Sequence, residues 1–583
     1  MKQLKQILKD LMPFIAPFKK FFIFSIFFIV LASTMTVVAP YVEGMITTYL
    51  LSVVSKNGAI NFQYILQLIA VLLGIYITGS GSRILYQFIL TEAIQNMMKD
   101  LRQAINVKIH KLPVSYFDKH TTGDLMSRMA SDVETVSNAL QQSLAVFVSS
   151  ILMLLFAIGA MYAINVKLAL IVTLILPFTL VYGKFIVKKS QPRYQNLQNA
   201  LGDLNGVIQE KYSGYKEIML FDKQEDSIEE FMAVNQNLCN QSFMSQFVSG
   251  MLTPGINLIT YLCIGVVVYL GGLDVLAGVM LVGQLQAFIR YIWQVSDPLN
   301  QMSDLIQILQ AAVASLVRIF EVLDATEELP DHKQPKTIAD VHGSVQMKDV
   351  AFGYTPDTIL LHDLSVDIKS GQMVAIVGPT GVGKTTLINL LMRFYDVNGG
   401  AICVDGVDIR DLARDDLRSM FGMVLQDTWL FKGTIKENIA YGVDHATDEQ
   451  IEEAAKIANA HHFIRTLPDG YNMVINEEGN NISQGEKQLL TIARAIVADP
   501  KIMILDEATS SVDTRLEQML QEAMSKIMEG RTSFVIAHRL STIKNADVIL
   551  VMKDGNIVEQ GNHETLLAKK GYYEQLYNAQ FAE

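Results

Sequence analysis

Residues 21–40, FFIFSIFFIVLASTMTVVAP, carry no charged side chain. A run of this length spans the roughly 30 Å hydrocarbon core of a bilayer when coiled as an α-helix. In hydrocarbon every peptide group needs an internal partner, so a helix is the form such a run takes. Apolar stretches of this kind occur six times, with centres near Ile29, Leu73, Leu154, Leu174, Gly265 and Phe288. Lys2, Lys5, Lys9, Lys19 and Lys20 precede the first, a pattern superficially like a secretory leader. The run is too long for a leader's apolar region of roughly 7–15 residues, and more spans follow. It reads as a retained first membrane helix. The sixth, VMLVGQLQAFIRYIWQV, is interrupted by Gln284, Gln286, Arg290 and Gln294. Such a helix can span when its polar face meets a bundle interior or a wet cavity.

Lysine and arginine set the orientation. Lys99, Arg102, Lys108, Lys111, Lys119 and Arg128 lie between spans two and three. Lys184, Lys188, Lys189, Arg193, Lys211, Lys216 and Lys223 lie between spans four and five. The other loops are short and hold little beyond Lys56 and Lys167. The positive-inside rule then places the N-terminus and both long segments in the cytoplasm of a multi-pass protein of the cell membrane. Both segments keep helical periodicity, so the spans are expected to continue as helices beyond the bilayer. Short polar elements at 113–124 and 213–226 interrupt them, either as surface turns or as docking elements for the next domain.

The chain is 50% hydrophobic and only 18% charged. A formal net charge of −12 leaves no general basic footprint, so nucleic acid is not an expected partner. Cys239, Cys263 and Cys403 are far apart and suggest neither a disulfide framework nor a zinc site. Membrane character ends near Asp324, and Pro330 and Pro335 mark a linker. The expected division is a membrane domain at 1–325, a linker at 326–342 and an α/β domain with a parallel sheet at 343–583, where apolar strands alternate with helices.

GPTGVGKTT (378–386) fits GxxxxGK[ST] between an apolar strand and an apolar-periodic helix. Glycines let successive N–H groups of the loop and the helix N-terminus face phosphate oxygens. Gly378, Pro379, Thr380, Gly381, Val382, Gly383, Lys384, Thr385 and Thr386 are therefore ATP-binding candidates. Lys384 would reach the β- and γ-phosphates, and Thr385 would ligate Mg²⁺. Val382 is bulky for the loop, but its position can contribute through its backbone N–H. Asp506 and Glu507 end the strand of KIMILDEA, delivering carboxylates to the same sheet edge. Asp506 suits the Mg²⁺ shell, and Glu507 suits a general base polarising the attacking water. His538 ends another strand and suits the γ-phosphate; Gln426 suits a link from Mg²⁺ or water to the membrane side. Tyr354 offers an aromatic face for adenine, with core packing as the alternative.

These residues together resemble the ABC transporters of the exporter type, and the resemblance covers essentially the whole chain. It implies a six-span α-helical membrane domain fused to an α/β P-loop NTPase domain of the ABC kind with a helical subdomain. It implies a half-transporter that hydrolyses ATP with Mg²⁺ and works in the bilayer with a second half-transporter. In that family's terms Tyr354 is the aromatic A-loop, Gln426 the Q-loop, Asp513 the D-loop and His538 the switch histidine. The substrate it implies is a hydrophobic or amphipathic small molecule, drug-like or lipid-like.

The loop NNISQGEKQ (480–488) holds no chemistry of its own. The resemblance makes Ser483, Gln484 and Gly485 the signature that contacts ATP on the partner, where the family sequence is Leu-Ser-Gly-Gly-Gln. Here Gln484 replaces a glycine and Glu486 places a negative charge near an anion. Like unit charges about 4 Å apart cost on the order of 4 kcal/mol at an effective dielectric of 20. In the family an altered signature beside intact Glu507 and His538 marks the catalytic half of a heterodimer, as in bacterial multidrug exporters. A homodimeric exporter or lipid flippase, or an importer of the same fold, are the alternatives. Arg290, near the bilayer midplane by helix rise, is a candidate for the substrate path or for a structural ion pair.

Overall fold

The computed structural model describes residues 2–55, 59–355, 358–425, 428–443, 445–476, 481–506, 514–537 and 540–581. They form two units: residues 1–111 with 120–326, and residues 112–119 with 327–583.

The first unit is helical. A short amphipathic α1 (Lys2–Ile15) leads into α2 (Lys19–Ser55) and α3 (Phe62–Ile109). After α4 (Val114–Lys119) come α5 (Thr122–Ser127), α6 (Val133–Ile164) and α7 (Val166–Ser213). Then follow α8 (Tyr215–Leu220), α9 (Gln224–Gly250), α10 (Leu252–Leu276) and α11 (Val282–Leu323). At 48 residues each, α3 and α7 are about 72 Å long at 1.5 Å per residue, well over twice the hydrocarbon core. The expected helical extensions are therefore present, and the two interrupting elements are the short helices α4 and α8.

Among the described residues, five helices or continuous helix pairs are long and apolar enough to cross a membrane. The sixth long helix, α11, carries the polar residues that break its apolar run, and most of these are bonded. Gln284 accepts from the Leu281 N–H and caps the helix start. Gln286 accepts from Thr47 on α2 at 2.6 Å, and Gln294 donates to the Thr36 carbonyl at 3.0 Å. Tyr291, fully enclosed, donates to the Val37 carbonyl at 2.9 Å. Contact between α2 and α11 is close because glycine meets glycine. A Cβ on Gly283 would lie 1.7 Å from the Gly44 carbonyl oxygen. Small residues let backbones approach where hydrocarbon offers no hydrophobic drive between helices.

The far end of α11 is fastened by charge. Asp132, 3% exposed, accepts from Arg318 Nε at 2.8 Å and from the Ser315 hydroxyl at 2.9 Å. Beside it, Arg128 pairs with Asp124 and Glu321 at 3.0 and 3.2 Å.

The second unit is α/β. An antiparallel sheet has the order β2 (Leu361–Ile368), β1 (Val345–Phe352), β4 (Gly399–Val404), β5 (Val407–Asp408). A six-stranded sheet has the order β12 (Asn556–Gly561), β11 (Val548–Lys553), β3 (Met373–Val377), β10 (Thr532–Ile536), β9 (Ile502–Asp506), β6 (Phe421–Val424). All its neighbours pair in parallel except β11 and β12. The inner strands are continuous apolar runs, as expected of a parallel sheet covered on both faces. A small ribbon, β7 (Gly433–Thr434) with β8 (Val474–Ile475), belongs to a helical subdomain with the helices Ile435–Ala440, Asp448–Ile457, His461–Thr466 and Gln484–Ala498. The 112–119 segment groups with this unit, and Tyr395 donates its hydroxyl proton to Asp118.

Candidate functional site

Register in the central sheet brings the motifs together. Ile536 on β10 pairs with Ile376 on β3 on one side and with Asp506 on β9 on the other. The three strands thus end in line, so the loop after β3, the Asp506 carboxylate and the residues after β10 share one sheet edge. Ligands of parallel α/β sheets bind beyond such carboxyl ends.

The 378–383 loop turns directly into α12 (Lys384–Leu391). Gly383, at φ 105°, is in a backbone region that side chains rarely adopt, and a Cβ there would lie 2.8 Å from Leu361 Cδ2. Pro379, Thr380 and Gly381 are exposed. Val382 is 6% exposed and belongs to the core beneath the loop, which accommodates its bulk. Its N–H donates to the Pro379 carbonyl at 3.4 Å, holding the turn in shape.

Lys384 Nζ donates to the carbonyls of Gly378 at 2.7 Å and Pro379 at 3.1 Å. Burial holds its pKa below the usual lysine value, and the nearby Asp506 carboxylate opposes that shift. An ammonium partly stripped of water, at the mouth of a loop rich in N–H groups, is suited to receive an anion. Thr385 is exposed at the helix start, while Thr386 is buried and bonded to the Tyr354 hydroxyl at 3.0 Å. The Tyr354 ring stays 47% exposed, and edge contacts at 5.1 Å to Phe352 and Tyr395 hold it. It is thus both packed and available.

A cavity of about 110 Å³ opens beside the loop. Its far wall is Ile543, Tyr573, Leu576 and Tyr577, and sequence reading missed these residues. Tyr573 is buried against His563, whose Nδ1 lies 2.7 Å from its hydroxyl, and burial pushes its pKa up to about 12. No motif spacing signals a C-terminal helix against a phosphate loop.

Gln426, Glu507, Asp513 and His538 lie outside the described residues. Ser483, Gln484 and Gly485 do not line the cavity beside the loop. Ser483 is the N-cap of the Gln484–Ala498 helix, Gln484 is exposed and Gly485 is buried. Glu486 turns back on Ser483, accepting its N–H at 2.9 Å and its hydroxyl at 2.6 Å. This is a capping box. Arg290 lines a cavity in the first unit and forms no ion pair with a described residue.

Long apolar helices followed by a phosphate-binding loop on a parallel sheet define a membrane protein with its own nucleoside-triphosphatase domain. Residues 22–299 match the ABC transporter transmembrane region family and residues 361–510 the ABC transporter family. A fatty acid ABC transporter ATP-binding/permease protein of Mycobacterium bovis is 43% identical over 529 residues, covering 91% of this chain and 83% of that protein. An ATP-dependent lipid A-core flippase of Desulfotalea psychrophila is 35% identical, covering 99% of this chain and 100% of the flippase. The solved structure of a bacterial Atm1-family ABC exporter with ATP bound superposes with a TM-score of 0.77 at 27% identity, covering 97% of this chain and 99% of that one. The chain belongs to the ABC transporters, as an exporter half-transporter whose ATP hydrolysis is coupled to transport.

Proposed function

We propose that this chain exports an amphipathic, lipid-like molecule as the catalytic half of a heterodimer, with its N-terminus and ATPase domain on the cytoplasmic side. The alignment of Ile376, Ile536 and Asp506 across the sheet carries the nucleotide part of this reading. Lys384 and the loop N–H groups bind the phosphates, and the exposed face of Tyr354 stacks on adenine. The hydroxyl of Thr385 and the carboxylate of Asp506 are hard oxygen donors of the kind Mg²⁺ takes. They would hold it with Gln426, and the ion would neutralise phosphate charge. Glu507 orients and deprotonates the attacking water, His538 contacts the γ-phosphate, and Asp513 faces the partner. The printed names of two relatives, one for fatty acids and one for a lipid A core, support a lipid-like substrate. The carboxylate of Glu486 supports an asymmetric pair, since it sets a negative charge on the Ser483 donors that a phosphate on the partner would need.

The test is ATP-driven movement of fluorescent amphiphiles into inside-out vesicles holding the reconstituted transporter. Glu507→Gln should leave ATP binding intact while slowing hydrolysis and transport at least about 10²-fold, the loss expected of a general base. Near-normal turnover in that variant would remove the base assignment. Absence of ATP-dependent movement for every amphiphile tried would remove the export reading.

A further inference from the structure

Helices α2, α3 and α11 line a half-open cavity of about 280 Å³ whose charged lining is Glu43, Arg83 and Arg290. Each helix brings a polar group to it. Tyr76 on α3 donates to Glu43 on α2 at 2.5 Å, and about two turns away along the same hairpin Arg83 donates to the Thr36 hydroxyl at 3.0 Å. Gln294 on α11 uses its amide nitrogen on the Thr36 carbonyl, while its oxygen is buried with no hydrogen-bond partner. Neither arginine has an ion pair with a described acid, and Glu43 is bonded to Tyr76.

Two guanidinium groups against one carboxylate leave one net positive charge in the lining. Guanidinium does not shed its proton in a protein, so the imbalance cannot be relieved by titration. An uncompensated charge at membrane depth is costly and belongs to a ligand or ion pathway. One monoanion would balance it, and a carboxylate matches the planar fork of an arginine with two parallel hydrogen bonds. The cavity is below the roughly 300–1,000 Å³ of sites that enclose a drug-sized ligand. It has room for a headgroup, with the hydrocarbon chain left to lie along apolar helix surface.

We propose that Arg290 and Arg83 bind the singly charged carboxylate headgroup of the amphiphile this transporter moves. The proposal rests on the export reading above and deepens it. Glu43, held by Tyr76, cancels one of the two positive charges and so favours a monoanion over a dianion. Arg290 is the primary contact because it makes no hydrogen bond or ion pair with a described residue, whereas Arg83 also positions Thr36.

The experiment measures binding to the purified, detergent-solubilised transporter in its native dimer. Probes are radiolabelled oleate, its uncharged methyl ester and oleoyl lysophosphatidate. Unaltered protein should bind oleate at least about tenfold more tightly than methyl oleate, the scale of a charge-assisted contact. Arg290→Ala should lose that preference and Arg290→Lys should keep part of it. Glu43→Gln should shift preference toward lysophosphatidate. Equal binding of oleate and its ester to the unaltered protein overturns the proposal without any variant having to fold. An Arg290→Ala variant that still prefers oleate overturns it too, and a native preference for lysophosphatidate replaces carboxylate by phosphate. Headgroup-selective binding that depends on Arg290 but comes with no ATP-driven movement supports the site and removes the export reading instead.

Discussion

Glu486 spends its charge inside its own helix turn. A capping box closes equally well with glutamine, whose amide oxygen can accept the same N–H. Glutamate adds a full negative charge at the N-terminus of the Gln484–Ala498 helix, which stabilises the helix and competes with any phosphate for Ser483. Lys384 shows the converse. Its ammonium sits among loop carbonyls, partly desolvated, with Asp506 as the acid that offsets burial. A phosphate would offer it a stronger acceptor than a peptide carbonyl. Lys384→Ala should therefore weaken binding of a fluorescent ATP analogue by about tenfold or more, the worth of a hydrogen bond between charged groups. Unchanged affinity would mean that the loop N–H groups alone hold the nucleotide.

At the scale of elements, the α2–α11 contact depends on what is missing from two side chains. A methyl group on Gly283 would lie within bonding distance of the Gly44 carbonyl oxygen, and a backbone oxygen cannot rotate away. Gly283→Ala should destabilise the membrane domain by at least about 1–3 kcal/mol, the usual cost of overpacking. Thermal melting in detergent reads this directly. Gly272→Ala on α10, where a Cβ meets nothing within 4 Å, is the matched control and should melt at or slightly above the parent temperature. The same elements show what the sequence makes legible. Spans announce themselves because hydrocarbon thickness fixes their length, and the phosphate loop because its glycines and lysine keep a fixed spacing. The Ser483–Glu486 cap also has a legible spacing, but reading Glu486 only as a charge facing phosphate hides it. Glu43, Tyr76 and Arg83 are not legible as lining one cavity with Arg290. They lie on different helices, and only the packing of α2 against α3 and α11 brings them together. Tyr573, Leu576 and Tyr577 escape for the same reason, since nothing local ties a terminal helix to a loop nearly two hundred residues earlier.

At the scale of the whole molecule, an ABC exporter works as a dimer in the membrane, and on the proposed reading each half supplies parts of two sites. On the heterodimer reading, the site using Lys384, Asp506, Glu507 and His538 of this chain takes its signature from the partner and hydrolyses. The site that receives Ser483 and Gly485 holds ATP with little turnover, because the partner brings no general base and Glu486 competes for Ser483. The double change Gln484→Gly with Glu486→Gln would then remove the negative charge, though not the cap, without supplying a base. Total ATPase of the pair should rise by at most about twofold, since general-base catalysis is still absent there. Nucleotide held at the second site should exchange more slowly, because Ser483, still capped by an amide oxygen, no longer faces a full negative charge. The measurement is steady-state ATPase together with a count of trapped nucleotides per dimer, for this chain alone and with candidate partners. Transport-competent ATPase from this chain alone, with two equivalent hydrolysing sites, would sink the heterodimer reading. A homodimer would also respond differently to the double change. Both of its sites contain the altered signature beside an intact Glu507, so removal of the charge should raise turnover at both and exceed the limit set for the pair.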